Sequence, residues 1–149
     1  MQLEPFDIIL QKGHKGIVSS IIRKVTKAGY NHSAIYMGNL HIIEAAASGV
    51  KVNNLTYSLG EFDAFRYYRP LTEEEIGKIE EFLMKAVNSK YDYLELFSQL
   101  FGFKGGTPKR YICISLLMEA FQYAGLEVGD WKVGFEQVYN SPYFIKVNS

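Results

Sequence analysis

The sequence predicts an α+β protein in which an antiparallel sheet is packed by helices. Three observations carry this. Short β-rich runs crowd the first half, separated by brief Gly and Asn breaks. A capping box, Thr72-Glu73-Glu74-Glu75, opens a long amphipathic stretch. The connections between strand-like runs are too short for the crossovers that parallel pairing needs.

In chain order, Phe6 to Leu10 reads as a short buried strand ended by Lys12-Gly13. Residues 16 to 28 place Ile17, Ser20 and Ile21, Lys24 and Val25, and Ala28 at helical spacing, with Gly29 as the stop. Two runs follow, His32 to Met37 and Leu40 to Glu44. They are separated by Gly38-Asn39, two residues that tolerate positive φ and so signal a hairpin. Gly49 to Thr56 and Phe62 to Tyr68 are the next strand-like runs, and sequential antiparallel neighbours are the economical arrangement. The capping box starts a helix with Ile76, Ile79, Leu83, Ala86 and Val87 on one face. A helix over Asp92 to Phe101 ends at Gly102. Another passes through Cys113, with Ile114, Leu117, Met118 and Phe121 as its apolar stripe and Gly125 as its stop. Phe144 to Val147 reads as a last edge strand.

Composition bounds the function. At 149 residues the chain fits one domain, 1–149, and buries roughly 70% of its unfolded surface. Hydrophobic residues at 48% and charged residues at 21% describe a globular rather than a disordered chain. Sixteen Lys and Arg balance sixteen Asp and Glu, so bulk charge does not point to nucleic acid. The basic residues also lack the interleaved aromatics that stack bases. One cysteine cannot form an internal disulfide or a Cys-rich zinc site. The N-terminal stretch MQLEPFDIILQKG is no signal peptide, and no window reaches the roughly 18 apolar residues of a membrane span. Cytoplasmic residence is therefore expected, with export by a non-standard route left open.

The charges are segregated. No acid occurs between Asp7 and Glu44, where Lys12, Lys15, Arg23, Lys24 and Lys27 lie, whereas Glu73, Glu74, Glu75, Glu80 and Glu81 cluster later. The basic stretch is either a solvated helix face or an electrostatic lip for an anionic substrate or phospholipid headgroup.

Chemistry centres on three residues. Cys113 is either a small buried hydrophobe or, near the helix start signalled by Gly105-Gly106-Thr107-Pro108, a thiol whose ionisation the helix dipole favours. The dipole is fading if Thr107 caps the helix, and a start at Arg110 or Tyr111 serves the thiol better. His32 begins a strand, where a ring can face a groove. His14 lies in a Lys-rich loop, and His41 sits between apolar neighbours with its ring solvated or structurally bonded. Glu44 is a carboxylate in an apolar strand, so it must be exposed or partnered, because burying it alone costs several kcal/mol. Pairing His32 with Glu44 requires an odd-numbered loop or a bulge, since a strict two-residue Gly38-Asn39 loop sets them on opposite faces. Together Cys113, His32 and Glu44 have the chemistry of nucleophile, base and orienter, with the Cys113 amide as an oxyanion donor.

The ordered set PFDIIL, NHSAIYMG, IIEAAASGV, SKYDYLEL and YICISLLMEAF resembles the permuted NlpC/P60 papain-like hydrolases of the YiiX/YebB (DUF830) type. The resemblance runs from Asp7 to about Phe121, with a weaker echo in Asn140-Ser141-Pro142. It implies a circularly permuted papain-like fold, with an antiparallel sheet or partial barrel packed by helices. It also implies Cys113 as nucleophile, His32 as general base and then acid, and Glu44 as the residue orienting His32. Asp7 and Gly49-Val50 match positions that look structural. Two departures stand out. The family commonly reads Cys-Ser-Glu-Leu-Val where this chain has Cys113-Ile114-Ser115-Leu116-Leu117, and Gly-Asp where it has Phe6-Asp7.

The expected function is a thiol hydrolase or acyltransferase acting on an amide, ester or thioester in a peptide, lipid or other acyl substrate. The alternative is a non-catalytic binding module that keeps the fold, motivated by the altered residues after Cys113. Tyr111 either helps an oxyanion or packs. No metal or other cofactor is expected, because the spacing of His32, His41 and Glu44 matches no common zinc pattern.

Overall fold

The sheet is built around β1 (Ile8–Lys12), in a computed structural model that describes residues 2–12, 29–46, 49–55, 61–87, 108–129 and 135–147. The other strands are β2 (Tyr30–Gly38), β3 (His41–Ala46), β4 (Gly49–Asn54), β5 (Glu61–Tyr67) and β6 (Phe144–Lys146). Helices α1 (Glu73–Val87), α2 (Pro108–Tyr123) and the short α3 (Glu136–Tyr139) complete the described elements. The strand order is β4-β3-β2-β1-β5-β6, every neighbouring pair is antiparallel, and the sheet is open, with β4 and β6 as its edges. The α+β class expected from the sequence is the one observed. The expected helices over 16–28 and 92–101 lie outside the described residues, as does Thr107.

Three details differ from the sequence expectations. First, β5 does not add to β4 but crosses to the far side of β1. Ile8, Ile9 and Leu10 are fully buried, so β1 needs a neighbour on each side, whereas β4 presents exposed Lys51 and Val52 and suits an edge. Second, β1 starts at Ile8, because Phe6 adopts φ 74° in a turn. Third, the β2–β3 loop is Asn39-Leu40, at φ 50° and 62°, closed by the Gly38–His41 pair. Two consecutive positive φ values match the twist of a tight hairpin. The register then shifts between Tyr36 and Gly38, leaving Met37 as a bulge.

Alternation divides the core between the two faces of the sheet. Ile8, Leu10, Ile35, Ile43 and Phe65 face the helices and form one cluster with Ile79 and Leu83 of α1 and Ile114, Leu117 and Phe121 of α2. Ile9, Ala34, Tyr36, Ile42 and Ala64 point the other way and cluster with Leu55, against which Leu3, Phe62 and Val147 pack. Every described side chain from Ile114 to Phe121 is buried, so α2 is enclosed on more than one side rather than resting on a single apolar stripe. Phe121 stacks near Tyr67 and Phe144, with ring centroids 5.8 and 5.5 Å away, which sets the C-terminal half of α2 over the end of β5. The helix also packs on β2 and β3.

Helix α1 begins as its sequence predicts. Thr72 N–H donates to Glu75 Oε2 (2.9 Å) and Glu75 N–H to Thr72 Oγ1 (3.2 Å), so each satisfies an otherwise orphaned amide. Arg69 adds a two-pronged contact to the same carboxylate at 3.0 and 2.9 Å, and its guanidinium with the capping bonds holds Glu75 down to about 2.

Candidate active site

His32 and Glu44 meet. His32 Nε2 lies 2.5 Å from Glu44 Oε2, and the two side chains are 12% and 8% exposed, a charge-capable pair taken largely out of water. The bulge at Met37 makes this possible. With Ile35 opposite Ile43, alternation puts His32 and Glu44 on one face, diagonal to each other across β2 and β3. The resolution is therefore the bulge, the route that keeps the pair together despite a two-residue loop. Asn53 of β4, opposite Ile42 and so diagonal to Glu44, donates from Nδ2 to Glu44 Oε1. Both carboxylate oxygens thus have a described partner.

Cys113 contributes a backbone position in the second turn of α2, and its side chain lies outside the described residues, as does that of Tyr111. The helix is already formed at Pro108, earlier than the start at Arg110 or Tyr111 that best suits an activated thiol. Only the first four amides of a helix lack an internal acceptor, so the Cys113 N–H falls within the i→i−4 ladder. The expectation that this amide serves an oxyanion is corrected accordingly.

Asp7 behaves as a structural residue. Fully buried, it accepts from Arg66 Nε and Nη2, both at 2.8 Å, and from the Glu4 amide at 2.8 Å. Arg66 also pairs with Glu4 (2.8 Å), and these carboxylates raise its already high pKa. This knot ties the N-terminal segment to β5 across the turn containing Phe6. Gly49 opens β4 at φ 112°, a backbone conformation that explains a glycine there without any close neighbour.

At the same end of the strands as His32, Tyr30 O–H donates to buried Asp63, which also pairs with Lys12 (3.3 Å) and Lys146 (2.9 Å). Lys12 is therefore engaged within the fold rather than lining an anion-attracting lip. The remaining basic residues, Lys15, Arg23, Lys24 and Lys27, lie outside the described residues, as does His14, while His41 is exposed. The sequence pointed to neither Asn53 nor Glu119. Glu119 of α2 is buried, its Oε1 has no hydrogen-bond partner among the described residues, and desolvation pushes its carboxyl up to about 8. A cleft of about 720 Å³, lined by Phe6, Met37, Tyr67, Leu71 and Ile76 among others, opens at the opposite end of the sheet from His32.

No protein-family model and no curated protein matches the sequence. The fold is that of a solved structure. Over 99% of this chain and 98% of its counterpart, it matches the crystal structure of metalloprotein YiiX from Escherichia coli O157:H7, a DUF1105 protein, with a TM-score of 0.71 and 19% identity. The chain is thus YiiX-like in fold. Among the described residues no three His, Cys, Asp or Glu side chains come together as a metal site, and His32 and Glu44 are bonded to each other. Among the described residues, no helix is long and apolar enough to cross a membrane.

Proposed function

We propose that the protein is a thiol hydrolase or acyltransferase of the permuted NlpC/P60 papain-like type, working through Cys113, His32 and Glu44. The observation that carries this is the His32–Glu44 pair, buried on the adjacent strands β2 and β3. By alternation the pair lies on the sheet face of Ala34 and Ile42, whereas α2 packs on the face of Ile35 and Ile43, so the mechanism requires the Cys113 thiol to reach His32 past the end of the sheet. Glu44 takes Nε2, so Nδ1 is the ring nitrogen that serves the thiol. The thiol proton passes to Nδ1, and the thiolate sulfur bonds to the carbonyl carbon of the acyl substrate. The leaving group departs with the proton from Nδ1, giving an acyl-enzyme. Water then resolves it in a hydrolase, or an acceptor alcohol or amine does so in a transferase. Glu44 stabilises the imidazolium between these steps.

A p-nitrophenyl acyl ester tests this. It is expected to leave one acyl group on Cys113, detected by mass, and to turn over; Cys113→Ala abolishes both while circular dichroism is unchanged. Undiminished hydrolysis in that variant overturns the mechanism.

One observation favours the second reading, a binding module without turnover. Cys113 lies in the second turn of α2, past the free amides that lower a thiol pKa. A Cys113 thiol titrating near the ordinary value of about 8.5 supports the module, and a clearly lower one supports the enzyme.

A further inference from the structure

Glu44 is held from both sides. Its Oε2 meets His32 Nε2 at 2.5 Å, and its Oε1 accepts from Asn53. An ionised carboxylate can only accept, so the Asn53 contact must come from its NH₂ group, and the amide orientation follows without further choice. Three strands supply the three members: β2 gives His32, β3 Glu44 and the edge strand β4 Asn53. The two registers place His32 and Asn53 each diagonal to Glu44 on the same face.

The chemical type at position 53 matters. A lysine or arginine there would anchor Glu44 equally well, but its charge would compete with the imidazolium for the same carboxylate. An amide is neutral at every working pH. It fixes Oε1 and leaves the negative charge for His32. Asparagine is depleted in strands, so packing preference gives no reason for one at this position.

We infer that Asn53 is a positioning residue, which holds Glu44 through Oε1 so that Oε2 stays on His32 Nε2. This deepens the reading of His32 as a working base and rests on it for its catalytic meaning, though not for its geometry.

The test follows the ring protons of His32 by NMR in the full-length chain across pH. In the wild-type protein, a far-downfield Nε2–H signal and a His32 titration are expected, and Glu44→Gln removes the former. Asn53→Ala is expected to broaden or abolish the signal and to lower the His32 midpoint, because the imidazolium keeps a less well aligned partner. Asn53→Asp preserves the shape of the side chain but cannot donate when ionised, and should lose the signal near neutral pH. It covers the case in which the alanine variant fails to fold. Iodoacetamide labelling of Cys113 at pH 7 should slow roughly 10-fold in Asn53→Ala, in line with loss of a hydrogen bond to a charged group. If Asn53→Ala folds and leaves the signal and midpoint as in wild type while Glu44→Gln abolishes the signal, Asn53 positions nothing. If labelling proves indifferent even to His32→Ala, the thiol mechanism fails, and the NMR result for Asn53 stands by itself.

Discussion

Two buried carboxylates of one sheet are satisfied in different ways. Asp7, at the start of β1, is clamped by a guanidinium and a backbone amide. Glu44, within β3, is held by an imidazole and a side-chain amide. Arginine keeps its proton at any working pH, so the Asp7 knot is static. The partner of Glu44 is an imidazole, the side-chain type whose ordinary titration lies nearest neutrality. Burial alone does not distinguish the two carboxylates; the chemistry of the partner does. Glu119 sharpens the contrast, since among the described residues its Oε1 has no partner and desolvation favours its protonated form.

The largest effect is expected at the static knot. Arg66→Ala strands the fully buried Asp7 carboxylate and should cost about 3–5 kcal/mol in urea unfolding. Adding Asp7→Asn should recover much of that loss, because the uncompensated charge is gone. If the single variant costs no more than a surface pair, the contrast between the two carboxylates collapses.

Glu119 comes next. Its carboxyl ionises near 4.5 in the unfolded chain and at about 8 in the fold. Between those values the native state holds the extra proton, so stability falls as pH rises through the window and the loss is complete above it. Glu119→Gln should remove this decline. The difference in urea midpoints between wild type and variant should widen from pH 5 to pH 8, reaching about 2–4 kcal/mol after local relaxation. A difference independent of pH shows that Glu119 is ionised throughout.

The smallest effect belongs to the half-buried carboxylate Glu75, whose task is to cap a helix. Thr72→Ala removes one half of the reciprocal box and should cost about 1 kcal/mol, read as a small shift in thermal midpoint. A cost rivalling that of Arg66→Ala would mean that burial is not what separates these carboxylates.

Local signals were legible where local rules decide the outcome. The capping box and the period of Ile79, Leu83 and Ala86 located α1, and alternating runs located the strands to within a residue or two. Glu44 stood out because a carboxylate in an apolar strand demands a partner, and His32 had the right chemistry. Asn53 gave no such sign. An asparagine beside Asn54 resembles the approach to a turn, and only its place opposite Ile42 brings it to Glu44. The loop offset by one residue was equally hidden, since Gly38, Asn39 and Leu40 all take positive φ here and a leucine rarely signals that conformation.

The sequence by itself determined the α+β class, the carboxylate at Glu44 that demands a partner and the start of α1, because composition, periodicity and capping act over a few residues. Tertiary structure alone decided that β5 crosses to β1, that the bulge at Met37 sets His32 and Glu44 on one face, and that Asn53 completes their bonding. The reason is parity. A single extra residue in a strand turns every later side chain to the other face, and the energy that selects the bulged register lies in pairing across three strands rather than in any one of them.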